Sequence, residues 1–183
     1  MSPKVEIVCI GDELLKGSIL NTNVSFLSKE LFSMGVQVLR QTVLSDEKDL
    51  LSQGLKESFQ RSDWIICTGG LGSTLDDVTR EVVSQVLGLN ENFLGEIIFH
   101  NTEGLEPGIC ISRDGKVIIL LPGVPQEMKV MAKEKMIPYL KGVLGLKSDF
   151  YTQSIHFCLL AESQIDPLLR EIQESMPNLT LGI

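Results

Sequence analysis

The chain is poor in histidine, has no paired cysteines and contains no long apolar run, and each shortage removes a class of function. Its two histidines, His100 and His156, stand far apart. That argues against a histidine-ligated metal site and against a Ser-His-Asp triad. The four cysteines, Cys9, Cys67, Cys110 and Cys158, form no C-x-x-C pair. Each falls in a β-like apolar run, so they read as buried thiols of a reducing compartment, not as disulfides or zinc ligands. No stretch approaches ~18 consecutive apolar residues, so no transmembrane helix is expected. No signal-peptide pattern precedes the first strand-like run, and a cytoplasmic protein is the expectation. Basic residues are also in deficit: 16 Lys and Arg against 24 Asp and Glu give a net charge of −8. This balance speaks against nucleic acid and anionic membranes as partners. It leaves phosphate ligands open, because backbone amides or a bound cation can reverse the local field.

What is present is the alternation of a soluble α/β protein, with 43% hydrophobic and 22% charged residues over 183 positions. That length holds one sizeable core, or one domain and part of another. Lys4 to Ile10 reads as a buried strand, followed by a loop with Gly11 and Gly17. Asn21 to Met34 carries apolar residues at helical spacing, and Gly35 is a natural stop. Val36 to Val43 alternates like a strand, and Ser45-Asp46-Glu47 opens a helix that runs to about Arg61. Asp63 to Thr68 is the next strand, followed by a glycine-rich turn and a helix ending near Gly88.

This β-α-β-α-β-α order predicts a mostly parallel sheet with helices on both faces. Ligands of such sheets bind beyond the carboxyl ends of the strands, where the loops at Gly11, Asp46 and Gly69 fall. Residues 90–107 are weakly patterned. Gly108 to Ser112 and Lys116 to Leu121 read as a hairpin around Arg113-Asp114-Gly115. Pro122-Gly123-Val124-Pro125 is a rigid turn before a helix over Gln126 to Lys141. The expected organisation is one domain over 1–145 and a partial, truncated small α+β domain over 149–183. In the latter, Tyr151 to Leu160 reads as a strand and Ser163 to Ser175 as a helix.

The segment Cys67 to Glu81, C-T-G-G-L-G-S-T-L-D-D-V-T-R-E, carries the chemistry. A glycine-rich turn between a strand and a helix N-terminus presents backbone N–H groups that can cradle phosphate. Asp76 and Asp77 stand at its mouth. Donors for phosphate beside acids that could hold a metal or a proton suggest nucleotide or phosphate-ester chemistry. An ordinary βα turn with Asp77 as helix N-cap is the other reading.

Four segments together resemble the molybdopterin-binding-like domain family of molybdenum cofactor biosynthesis, and within it the amino-terminal domain of the CinA (competence/damage-inducible) proteins. They are G-D-E-L-L-K-G-x-x-x-N-T-N (Gly11 to Asn23), T-V-L-S-D-E (Thr42 to Glu47), T-G-G-L-G-S-T-L-D-D-V-T (Thr68 to Thr79) and L-P-G-V-P-Q-E-M (Leu121 to Met128). A-E-S-Q-I-D (Ala161 to Asp166) resembles the start of the small domain that follows in CinA proteins. The chain departs from the pattern at Ser73, where the family usually has Pro, and in a short stretch between Gly88 and Asn101.

The resemblance implies a three-layer α/β/α sandwich that binds a nucleotide-like small molecule as a homodimer. It also implies metal-dependent hydrolysis of ADP-ribose, with a divalent cation (Mg, Mn or Co) as cofactor. The nicotinamide-mononucleotide deamidase domain of full CinA proteins is not expected in a chain of this length.

By the same resemblance Asp46 and Asp77 are the catalytic acids, and Asp77 with Asp76 would hold the metal. Gly69, Gly70, Gly72, Ser73 and Thr74 would surround the phosphates. Glu13, Asn21 and Asn23 would contact ligand, Pro122 and Gly123 would shape the floor of the site, and Glu127 could face it. Asp46, Asn21, Asn23 and Glu127 also read as helix-capping or first-turn residues, and Glu13 as a surface acid. Two other functions stay open: adenylyl transfer onto molybdopterin, and a non-catalytic nucleotide-binding and dimerisation module.

Overall fold

A computed structural model describes residues 3–72, 78–89, 97–145, 153, 155–156, 158–176, 179 and 181. The chain divides into two compact units, Met1–Phe150 and Tyr151–Ile183.

In the larger unit β1 (Val5–Ile10) is buried along its whole length. A strand buried on both faces reads as a continuous apolar run, which is why V-E-I-V-C-I shows no alternation. A short α1 (Asp12–Leu15) stands where the sequence suggested only a loop. It is followed by α2 (Thr22–Ser33), β2 (Val38–Leu44), α3 (Lys48–Arg61), β3 (Trp64–Thr68) and α4 (Thr79–Val86). Then come β4 (Ile97–Phe99), β5 (Gly108–Arg113), β6 (Lys116–Leu121), α5 (Pro125–Met131) and α6 (Ile137–Leu144).

The six strands form one sheet in the order β2-β1-β3-β6-β5-β4. Pairing is parallel from β2 to β6 and antiparallel through β5 and β4. The expected mostly parallel sheet is therefore present, with an antiparallel edge. The β5–β6 hairpin turns on Asp114 (φ 51°) and Gly115 (φ 76°). Positive φ at both central residues is what a two-residue turn needs to match strand twist, and Asp-Gly supplies it. The β4 strand lies in the region that the sequence left weakly patterned.

Alternate strand residues feed two separate cores. Val5, Ile7 and Cys9, with Trp64, Ile66, Ile119 and Leu121, pack under α2, α5 and α6 through Leu27, Leu31, Met128 and Leu140. Val8, Ile10, Ile65, Cys67, Ile118 and Leu120 pack against α3 and α4 through Leu51, Leu55, Val82 and Val83. The period-2 geometry of a strand thus yields the three layers.

The single helix expected over Gln126 to Lys141 is interrupted by a π-helical segment, Ala132–Met136, between α5 and α6. Pro138 lies two residues beyond its end. Proline lacks the N–H that an α-helix needs and its ring crowds the preceding turn, so a wider turn at this point relieves the conflict.

In the smaller unit α7 (Glu162–Ser175) accounts for the expected second helix. Gln164 Oε1 accepts the Ala161 N–H at its start (3.0 Å). Of the strand expected over 151–160, the described residues carry no strand pairing, and the rest lie outside the described residues. Cys158 is exposed, whereas Cys9, Cys67 and Cys110 are buried. The expectation of four buried thiols fails at Cys158, because its apolar run packs in no described strand. Among the described residues no helix is long and apolar enough to cross a membrane.

Candidate functional site

The order β2-β1-β3 means that the chain leaves β1 toward one side of the sheet and returns to the other. A crevice at such a switch point is a property of the topology. The ladder sets Cys9 beside Thr68 and Thr68 beside Leu121, so β1, β3 and β6 end together. A cleft of about 620 Å³ opens there, and loops from all four parallel strands line it: Gly11, Glu13, Asp46, Gly69, Gly70, Gly72, Pro122 and Gly123. Asn21, Asn23 and Glu127 line it too. The structure therefore brings together the sequence-derived candidates that it describes. Asp76, Asp77, Ser73 and Thr74 lie outside the described residues. Val78 holds the N-cap position of α4 that the sequence offered to Asp77.

The glycine turn is fixed by close backbone contacts. Gly69 donates its N–H to Leu121 O (3.2 Å) and adopts φ 110°. A Cβ at Gly69 would sit 2.1 Å from the Ile10 carbonyl oxygen. That neighbour is backbone and cannot swing away. Thr79, fully buried, donates Oγ1 to Gly69 O (2.9 Å) and its N–H to Gly70 O (3.0 Å), which ties the start of α4 to the turn. Gly69→Ala is expected to cost about 3 kcal/mol or more in urea unfolding. Gly115→Ala, also at positive φ but facing open space, should cost only about 1 kcal/mol. Equal losses in the two variants would overturn this account of the turn.

The hydrogen bonds of three of these residues separate the sequence readings. Asp46 does not cap α3, whose N-cap is Glu47 with no side-chain bond. Its Oδ2 instead accepts the Asp12 N–H (3.3 Å), which fixes the carboxylate across the end of β1. Asn21 does cap α2, accepting the Val24 N–H (3.1 Å), while also lining the cleft. Asn23 is a clasp: Nδ2 donates to Thr68 Oγ1 (3.0 Å) and to Gly123 O (2.8 Å). Thr68 Oγ1 in turn donates to Pro122 O (2.7 Å). These bonds join α2, the end of β3 and the Pro122–Gly123 turn, and they leave Asn23 Oδ1 as a buried acceptor without a partner among the described residues.

The loop 101–106, which the sequence reading left unassigned, contributes Gly104, Leu105 and Glu106 to the cleft. Asn101 Nδ2 donates to Glu127 Oε2 (2.7 Å) and to Glu106 O (3.0 Å). Gly104 packs so close to the Glu127 carboxyl that a Cβ would meet Oε2 at 2.3 Å. The signal was present as N-x-x-G-x-x-P-G over Asn101 to Gly108, but only the folded chain shows that this loop crosses the cleft.

Electrostatically the cleft is one-signed. Its described lining includes Glu13, Asp46, Glu106 and Glu127 and no Lys, Arg or His. Asp12, just outside, is held below the usual carboxylate range by the Lys16 ammonium (2.9 Å) and the Ser45 hydroxyl (2.7 Å). Burial pushes the Cys9 thiol up, and the Cys67 thiol still more. Neither is a thiolate, so neither serves as nucleophile or soft metal ligand. The rim is apolar: Leu20 and Leu105 are 87% and 96% exposed, and Ile19 and Val124 are exposed beside them. Such a rim suits one flat face of a base or ring, while the floor offers amides and carboxylates.

The fold and site define a doubly wound α/β domain with a cleft at its switch point. The sequence pattern of the family described as "probable molybdopterin binding domain" matches residues 6–142. A CinA protein of Thermoplasma acidophilum, described as of unknown function, superposes with a TM-score of 0.66 at 30% identity, over 74% of this chain and 98% of that one. The molybdopterin biosynthesis enzyme MoaB of Thermus thermophilus superposes with a TM-score of 0.62 at 21% identity, over 79% of this chain and 95% of that one, and shares the fold. A competence-damage inducible protein of Caldicellulosiruptor bescii is 34% identical over 208 residues, which take in 97% of this chain and 50% of that protein. The chain belongs to the molybdopterin binding domain family, in its CinA branch. It spans about half the length of the curated relatives that it matches.

Proposed function

We propose that this domain hydrolyses the pyrophosphate of ADP-ribose or a related nucleotide pyrophosphate, assisted by a divalent cation. The observation that supports it most is the cleft itself, where the glycine turn, half-buried at Gly70 and exposed at Gly72, meets carboxylates with no basic side chain in the described lining. The adenine would lie against the rim of Ile19, Leu20, Leu105 and Val124. The phosphates would meet the N–H groups of the turn beyond Gly69, whose own N–H is spent on Leu121 O. The substrate class is the one that the resemblance of the four sequence segments to CinA proteins implies.

The donor set fits a hard cation. Among the described residues no three acid, cysteine or histidine side chains converge as a metal cage. Mg²⁺ at phosphate sites commonly takes one or two carboxylates and completes its octahedron with substrate oxygens and water. Asp46 and Glu13 are the described carboxylates placed to contribute, and Asp76 and Asp77 are the further candidates from sequence. The same all-oxygen set suits Mn or Co and disfavours thiolate-bound zinc. When bound, the cation would neutralise phosphoryl oxygens that these acids otherwise repel.

In the reaction a water oxygen bonds to one phosphorus while the bond from that phosphorus to the bridging oxygen breaks. The bridging oxygen leaves with the second phosphate, and Asp46 takes the proton from the attacking water. The products are AMP and ribose 5-phosphate.

Incubation with ADP-ribose should yield AMP and ribose 5-phosphate in equal amounts by chromatography. Activity should vanish in EDTA and return with Mg²⁺, Mn²⁺ or Co²⁺. Folded protein that releases no AMP under any of these cations would overturn the reading. Transfer of AMP onto a pterin, or binding without turnover, would then take its place.

A further inference from the structure

A second cleft, of about 450 Å³, adjoins the first across the glycine turn. The two share Leu71, Gly72 and Glu106. Beyond these, the wall of the second cleft is one face of α4, with Arg80, Glu81, Ser84 and Gln85 at helical spacing. Its polar character contrasts with the apolar rim of the first cleft.

Arg80 is the one Lys or Arg that lines either cleft among the described residues. It is half-buried and makes no ion pair or side-chain hydrogen bond among them. The acid next to it is already neutralised: Glu81 accepts from Lys48 Nζ at 2.7 Å and from Gln85 Nε2 at 3.2 Å. A half-buried guanidinium with no carboxylate partner among the described residues, beside a glycine turn that offers backbone donors, is a match for a phosphate, which can accept two parallel N–H bonds from it. Carboxylate and hydroxyl groups such as Glu106 and Ser84 suit the hydroxyls of a sugar, which carry donors.

We propose that the second cleft holds the half of the substrate distal to adenosine, a phosphorylated pentose, with Arg80 on its phosphate. The scissile pyrophosphate then crosses Leu71–Gly72, where the clefts meet. This rests on the reading of the first cleft as the nucleotide site. It adds that the ligand is bipartite and that α4 supplies the specificity for the second half.

The test is calorimetric titration of the 183-residue protein with AMP and with ribose 5-phosphate, separately and together, in Mg²⁺. Both should bind, and saturating AMP should leave ribose 5-phosphate binding intact. Arg80→Ala should weaken ribose 5-phosphate about tenfold or more and change AMP less than twofold. Arg80→Lys, which keeps the charge but not the fork, should recover part of the loss. Thermal unfolding of each variant monitors folding. Competition between the two ligands, no binding of ribose 5-phosphate to the wild type, or equal losses for both ligands in Arg80→Ala would overturn the proposal. Failure of ADP-ribose turnover alone would not, because Arg80-dependent binding of the sugar phosphate is read independently of hydrolysis.

Discussion

Glu6→Ala should destabilise the protein by about 3–5 kcal/mol, the largest stability effect expected of a single substitution here. Glu6 sits in β1 with no exposed surface. Its carboxylate accepts two bonds from Arg61, Nε at 2.9 Å and Nη2 at 2.6 Å. It also accepts from the hydroxyls of Thr42 (2.6 Å), Ser58 (3.0 Å) and Ser62 (2.8 Å). Five donors from β2, α3 and the loop after it converge on one acid. Removing that acid strands the donors in a layer with little water, and an unsatisfied buried partner costs more than the bond it lost.

Burial alone would raise the Glu6 pKa. The bonds from Arg61 first, then from Thr42, Ser62 and Ser58, outweigh it and bring the value to about 2 from an ordinary 4.5. The sign follows from linkage: a depressed folded-state pKa stabilises above the unfolded value and loses that contribution as pH falls. About 3 kcal/mol should therefore disappear between roughly pH 4.5 and pH 2. Urea midpoints measured across that range should drop steeply in the wild type and less steeply in Glu6→Gln. Parallel pH profiles for the two proteins would show that Glu6 is not the titrating group.

Asp46→Asn should lower kcat by about two to four orders of magnitude while leaving the fold intact. Asparagine keeps an oxygen for the Asp12 N–H, so the contact at 3.3 Å survives. What is lost is the negative charge in the cleft, and with it proton acceptance and any share in holding a cation. Stability in urea should change by less than about 1 kcal/mol, and the Mg²⁺ concentration for half-maximal activity should rise. A wild-type rate in this variant would remove Asp46 from the chemistry. Asp77→Asn tests the second acid named by the sequence in the same assay.

How far the sequence could be read follows from which interactions are local. β1, β3 and β6 are buried on both faces, so their identity is written as apolar runs of V-E-I-V-C-I, W-I-I-C-T and K-V-I-I-L-L. The Asp114-Gly115 turn and the stop at Gly35 (φ 75°) are single-residue backbone preferences. The alternation of strands and helices fixes a parallel sheet, and a parallel sheet fixes the end at which ligands bind. The glycine turn, the acids at Glu13 and Asp46 and the turn at Pro122–Gly123 were therefore legible as one site, each lying at the carboxyl end of a strand.

The remainder depended on contacts between residues far apart in the chain. Asn23 could have been a ligand donor or a cap, and only the meeting of α2 with Thr68 and Gly123 makes it a clasp. Asp46 read as a site acid or an α3 cap, and only the fold sets it against the Asp12 amide instead of at the helix start. Nothing in the local pattern at 97–99 announces a strand, and N-x-x-G-x-x-P-G over Asn101 to Gly108 does not by itself place a cleft wall. β4 is three residues long and exists through its pairing with β5, and the loop beyond it is held by Asn101 on Glu127. The same holds for Glu6, an acid inside an apolar run whose five donors come from other elements. Sequence alone determined the long elements of the larger unit, the sheet direction and the end at which the site lies, because strand and turn propensities act over a few residues. The tertiary structure decided which polar atoms are spent on holding the cleft open and which are left to face a ligand, because hydrogen bonds between distant segments form only once the layers have closed.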